Sequence, residues 1–181
     1  MSKKKILIFK NDRTGDLFVS LDAINSILNK HYNDEICIFL SHINMKFSFL
    51  FPNINKKIFP MDLGLLNKFY IFFYFLFNKI DSVYILTPKS FYYFLPLIFK
   101  KTKFFAITIK SDRERPSKFF LPYLYRYVII DRINLKKRNS SYNIQKKLIN
   151  ENFINEKNLI NKEFNISHTF NFPEKFVYFH Y

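Results

Sequence analysis

The chain predicts an α/β fold in which a parallel sheet is covered on both faces by helices. Three observations lead there. Strand-like and helix-like stretches alternate four times with short links between them, the sign of repeated βαβ units in a doubly wound sheet. The strand candidates are continuous apolar runs, as expected of parallel strands buried on both sides. The first run, Lys5-Ile6-Leu7-Ile8-Phe9-Lys10, passes through the polar loop Asn11-Asp12-Arg13-Thr14 into a helical pattern. In an open α/β sheet the loop after the first strand borders the usual ligand crevice.

Taken in order, residues 4–10 predict the first strand. Leu17, Leu21, Ile24, Ile27 and Leu28 recur at helical spacing and predict one helix that fades near Lys30-His31-Tyr32. Asn33-Asp34 turn the chain into a second buried strand, Glu35–Ser41. His42–Phe51 reads as a short helix or irregular piece stopped by Pro52. Lys57–Met61 is a third strand, placed at a sheet edge by Pro60. Leu63–Asn78 is a long apolar helix with Asp62 as its candidate cap. Asp81–Thr87 is a fourth strand, Thr87-Pro88-Lys89-Ser90 opens a helix through Phe99, and Thr102–Ile109 is a fifth strand. The stretch Lys110–Leu135 fits neither template. Residues 139–153 read as a polar-capped amphipathic helix, Asn155–Asn171 as a linker, and Lys175–Tyr181 as another apolar strand. The expected organisation is a domain over 1–154, a linker over 155–174, and in 175–181 the first strand of a second domain.

Composition bounds the partners. There are 23 lysines against six arginines, 25 Phe, 12 Tyr, 19 Asn and only two Gly, a joint bias that points to an AT-rich coding sequence. A net charge of +15 ordinarily signals nucleic acid or an anionic membrane. Here the lysines are spread along the chain and arginine, the usual reader of phosphate and bases, is scarce. A diffuse solvated surface accounts for most of the charge, and a membrane face suits the remainder better than nucleic acid. Cys37 sits alone within an apolar run and reads as a buried structural thiol in a reducing compartment. Phe69–Phe77 and Phe91–Phe99 are each about nine residues long, well short of the roughly 20 that a spanning helix needs. The first of these, and the aromatic run Phe119–Tyr127, are candidates for membrane contact, with core packing the commoner role for such stretches.

The four histidines are scattered, so no metal site is expected. The glycine-rich phosphate loops and the serine elbow are absent. What remains is Asn11–Asp16. Gly15 at a strand-to-helix turn suggests either a positive φ or close approach to a ligand. Asp16 reads either as a dipole-favoured first-turn acid or as a general base in hydrogen-bond reach of a substrate hydroxyl. Arg13 is either a solvated loop residue or a group that binds phosphate or orients Asp16.

The sequence Gly15-Asp16 after an apolar strand, followed by Leu17-Phe18-Val19-Ser20-Leu21-Asp22-Ala23-Ile24, resembles the N-terminal domain of the heptosyltransferase-like glycosyltransferases of family 9. Phe51-Pro52-Asn53, Lys57-Ile58, the helix over 139–153 and the strand Phe176–His180 extend the likeness loosely. Asp22 stands where that family usually has Pro. The resemblance implies a Rossmann-like parallel sheet with flanking helices, the N-terminal half of a GT-B glycosyltransferase. It implies inverting sugar transfer, without metal or cofactor, from a nucleotide-sugar donor to a lipid-linked saccharide acceptor in lipopolysaccharide or surface-glycan synthesis. Asp16 would be the base, with Arg13, Thr14 and Gly15 around the substrate and the donor site mostly in the second domain. The implied location is cytoplasmic, peripheral on the inner face of the inner membrane through anionic lipid, with no nucleic-acid partner. The rival reading is a non-catalytic α/β module that binds an anionic ligand or partner.

Overall fold

Six strands, β1 (Lys5–Lys10), β2 (Glu35–Leu40), β3 (Asn55–Ile58), β4 (Ser82–Ile85), β5 (Lys103–Lys110) and β6 (Arg126–Asp131), form one sheet in the order β3-β2-β1-β4-β5-β6. Every pairing is parallel. The fold is α/β and Rossmann-like, as the sequence predicts. This computed structural model describes residues 3–52, 54–110, 118–131, 145, 148 and 149, all within the unit Met1–Glu151. The expected linker and terminal strand lie outside the described residues.

The strands are apolar on both sides because both sides are covered. Alternate residues of each strand serve different cores. Ile6, Ile8, Ile38, Tyr84 and Ile107 pack with α1 (Thr14–Val19) and α2 (Leu21–Lys30) through Leu17, Ala23, Ile24 and Ile27. Leu7, Phe9, Phe39, Val83 and Phe104 pack with α4 (Leu65–Asn78) and α5 (Ser90–Ile98) through Ile71, Phe75, Tyr92, Tyr93 and Leu95. The short α3 (His42–Met45) follows β2. Of the helix expected over 139–153, only Gln145, Leu148 and Ile149 are described, and all three are buried. Lys30 reaches the Ile149 carbonyl at 3.3 Å.

Several expectations need correction. The single helix from Leu17 is two, because Ser20 interrupts it. The Ser20 hydroxyl donates back to the Asp16 carbonyl at 2.8 Å and its N–H turns to the Leu17 carbonyl at 2.9 Å. Such back-bonding competes with the helical ladder and bends it. β3 begins two residues earlier than expected and ends before Pro60, though it does occupy an edge. Asp62 is not the cap of α4. Gly64 holds that position, with no side-chain cap, and Asp62 offers only its carbonyl to the Gly64 N–H at 3.2 Å. The unassigned stretch after Lys110 supplies a 3₁₀ turn at Lys118–Tyr123 and the sixth strand. The aromatic run in α4 is only half core: Ile71 and Phe75 are buried, while Phe69, Phe73 and Phe77 are exposed.

Two stability predictions follow from packing and backbone. Ile24 is fully buried between α2 and the sheet, so Ile24→Ala should cost about 2–5 kcal/mol in urea unfolding. Lys79 ends α4 in the left-handed region at φ 44°. Glycine takes that conformation without a Cβ penalty, so Lys79→Gly should stabilise by about 1 kcal/mol on the same measurement.

Candidate functional site

The strand order reverses between β1 and β4, since β2 and β3 run off to one side and β5 and β6 to the other. The crevice beyond the carboxyl ends of those two strands is the usual ligand position in such a sheet. Two chain segments meet there, Lys10–Asp16 after β1 and Leu86–Lys89 after β4.

The exit of β1 is polar and buried. Lys10 is 2% exposed and Asn11 wholly buried. The Lys10 ammonium donates to Asp12 Oδ2 at 2.8 Å and to the Leu86 carbonyl at 3.4 Å. Asn11 donates through Nδ2 to the Pro60 carbonyl at 2.7 Å and accepts at Oδ1 from the Tyr92 hydroxyl at 2.7 Å. Tyr92 in turn stacks on Phe9 with ring centroids 4.0 Å apart. The Asp12 carbonyl accepts from Ser41 Oγ at 2.8 Å and Asn44 Nδ2 at 3.0 Å. Lys89 donates to the carbonyls of Asn11, at 3.3 Å, and Met61. The loop is thus tied to the ends of β2, β3 and β4 and to α5.

Burial sets the electrostatics. It pushes the Lys10 ammonium below its usual 10.5, with Asp12 foremost and Asp16 after it holding it up. It pushes the Asp12 carboxyl above the usual carboxylate range against the pull of Lys10, and the Asp16 charge adds to the rise. Lys89 is lowered by burial, with Asp12 and Asp62 opposing. Asp16 is therefore close enough for both members of the buried pair to feel its charge. Among the described residues, Asp12 Oδ1, Asn44 Oδ1 and Thr87 Oγ1 are buried without a hydrogen-bond partner, although Thr87 is near enough to draw the Asp12 pKa down.

The sequence-selected residues sit on the solvent side of this cluster. Arg13 precedes α1 in extended conformation and is exposed, Thr14 is half-buried, and Gly15 and Asp16 are exposed on the first turn. All four lie on one loop and turn beside the switch point. Gly15 has no positive φ, so that part of the expectation is corrected. A Cβ built there meets nothing within 4 Å, so protein packing does not require glycine. Sequence reasoning passed over Lys10, Asp12, Asn44, Thr87 and Lys89. A lysine and an aspartate two residues apart at the end of an apolar strand were the available signal. Among the described residues there is no metal-binding group of His, Cys, Asp and Glu and no helix long and apolar enough to cross a membrane. Comparison with family models, curated proteins and solved structures finds no match.

The buried pair makes a testable pH signature. Asp12→Asn leaves Lys10 without a counter-charge and should cost about 3 kcal/mol at pH 7, with Lys10→Met in the same chain recovering most of it. Without Asp12 the folded-state pKa of Lys10 falls further below 10.5. A depressed lysine favours the unfolded state at low pH, and that penalty disappears as pH rises from the folded to the unfolded pKa. The stability deficit of Asp12→Asn, followed by urea unfolding, should therefore narrow as pH rises toward 10.

Proposed function

We propose that this domain is the acceptor side of a glycosyltransferase, in which Asp16 deprotonates an acceptor hydroxyl. The observation that carries the reading is the placement of Asp16. It is an exposed carboxylate on the first turn after the central strand, flanking the β1/β4 switch point. A general base needs access and hydrogen-bond reach to its substrate proton, and that position offers both. No protein atom lies within 4 Å of a Cβ built on Gly15, so the fold leaves the first turn uncovered beside Asp16. The family-9 resemblance supplies the reaction class: inverting, metal- and cofactor-independent transfer from a nucleotide-sugar donor to a lipid-linked saccharide. It also supplies the setting, the cytoplasmic face of the inner membrane.

A binding module without turnover is the second reading, favoured by the exposed Arg13 beside the crevice. Asp16 is exposed on the first turn of α1, so Asp16→Asn should still fold, with stability changed by no more than about 1 kcal/mol through loss of the first-turn charge. In the full-length gene product, assayed for transfer of labelled sugar onto lipid-linked saccharide, Asp16→Asn should lower kcat by about 10²-fold or more with little change in KM. Transfer at the wild-type rate would remove Asp16 as the base. Acceptor binding equal in both proteins, with no transfer by either, would favour the binding module.

A further inference from the structure

Helix α4 is apolar on two faces. Ile71 and Phe75 enter the core, whereas Leu66, Phe69, Phe73, Leu76 and Phe77 follow one another at helical spacing along the opposite face. Leu66 is 83% and Phe77 80% exposed. A helix that is hydrophobic all round is normally buried all round. This stripe runs the length of a 14-residue helix, about 21 Å at 1.5 Å per residue. Phe94 and Ile98 of α5, which lies in the same layer, are exposed as well. Contiguous apolar surface on this scale marks an interaction site, in contrast to isolated exposed hydrophobics.

Charge identifies what covers it. From Leu63 to Lys110 the chain carries seven lysines and a single acid, Asp81. The Asp81 carboxylate is already engaged, accepting from the Lys5 N–H at 2.7 Å. Lys79 follows α4, and Lys100 and Lys101 follow α5, all three exposed. An aromatic and aliphatic stripe beside exposed lysines, with no competing acids, is the composition of a helix that lies in the plane of an anionic bilayer. A second copy of the chain is a poor alternative, because each copy carries a net +15. The helix is too short to span a core of about 30 Å, so it docks on the surface.

We propose that the outer face of α4, flanked by the lysines after α4 and α5, docks this domain on an anionic phospholipid surface. The inference extends the membrane setting of the reading above and makes no use of Asp16, so the two fail separately. The test is flotation of the full chain with phosphatidylcholine vesicles, with and without phosphatidylglycerol. Binding should require the anionic lipid and weaken as salt rises. The double variant Phe73→Ser/Phe77→Ser should bind at least tenfold more weakly while keeping the wild-type circular dichroism and unfolding midpoint. Lys100→Ala/Lys101→Ala should lose about fivefold per lysine, the equivalent of about 1 kcal/mol each. Phe18→Ser, which alters an exposed phenylalanine on the other face of the sheet, and Asp16→Asn should bind like wild type. The chain has no Trp, so Phe73→Trp provides a single tryptophan, selectively excitable over the tyrosines, whose spectrum should shift to the blue on anionic vesicles. Absence of binding to anionic vesicles would overturn the proposal. So would equal loss in Phe18→Ser, or a dimer in light scattering that Phe73→Ser/Phe77→Ser dissociates.

Discussion

The architecture around the crevice depends on one constraint, that polar side chains leaving the central strand are buried and have to be satisfied. Phe9 is followed by Lys10 and Asn11, neither with appreciable access to solvent. An unpaired charge or amide there would cost several kcal/mol, so each neighbouring element contributes a partner. The segment after β4 brings the Leu86 carbonyl, the segment after β3 brings the Pro60 carbonyl, α5 brings the Tyr92 hydroxyl, and Asp12 folds back to neutralise Lys10. Together these bonds fix the route of the loop. That route carries Arg13, Thr14, Gly15 and Asp16 out of the core to the solvent edge of the switch point.

The strands of the sheet centre were legible because burial on both faces writes itself as an uninterrupted apolar run. β1, β2, β4 and β5 all have that form. β6 is an edge strand whose outer side still carries apolar residues: Tyr127 and Ile129 are exposed while Ile130 is buried. Its sequence therefore shows neither clean alternation nor a clear boundary, and the 3₁₀ turn with Pro122 before it obscures where it starts. The break at Ser20 was hidden for another reason. Apolar spacing continues through it, while the Ser20 N–H turns to the Leu17 carbonyl and its hydroxyl to that of Asp16.

The site was half legible for a related reason. Asp16 is conspicuous because its meaning is local, a carboxylate next to a glycine at a strand-to-helix turn. Lys10 and Asp12 acquire their meaning from residues far along the chain. Ser41 is 29 positions from Asp12, Pro60 is 49 from Asn11, Leu86 is 76 from Lys10 and Tyr92 is 81 from Asn11. A lysine at a strand end in so lysine-rich a chain reads as one more surface charge. Only convergence of these distant segments makes it a buried cation. The apolar stripe of α4 misled in the opposite direction. Its composition reads as core, yet two-sided hydrophobicity on a helix that packs with one side leaves the other facing out.

The two glycines link these levels. A chain drained of glycine keeps one in the first turn of α1 and one at the N-cap of α4, the helices that follow β1 and β3 on the carboxyl side of the sheet. Neither has a positive φ. A Cβ on Gly64 would meet only the flexible Asn67 side chain at 3.9 Å, and one on Gly15 would meet nothing. Backbone strain and packing therefore give no reason for glycine at position 15, where alanine would favour the first helical turn by about 1 kcal/mol. The loop before it is held rigidly by buried bonds, and the turn that carries Asp16 is left bare on its outer side. Rigid support beneath an unobstructed carboxylate is what a base requires if a bulky acceptor is to approach it in one orientation. On the proposed reading of Asp16 as a base, the bare turn at Gly15 is where an acceptor would approach.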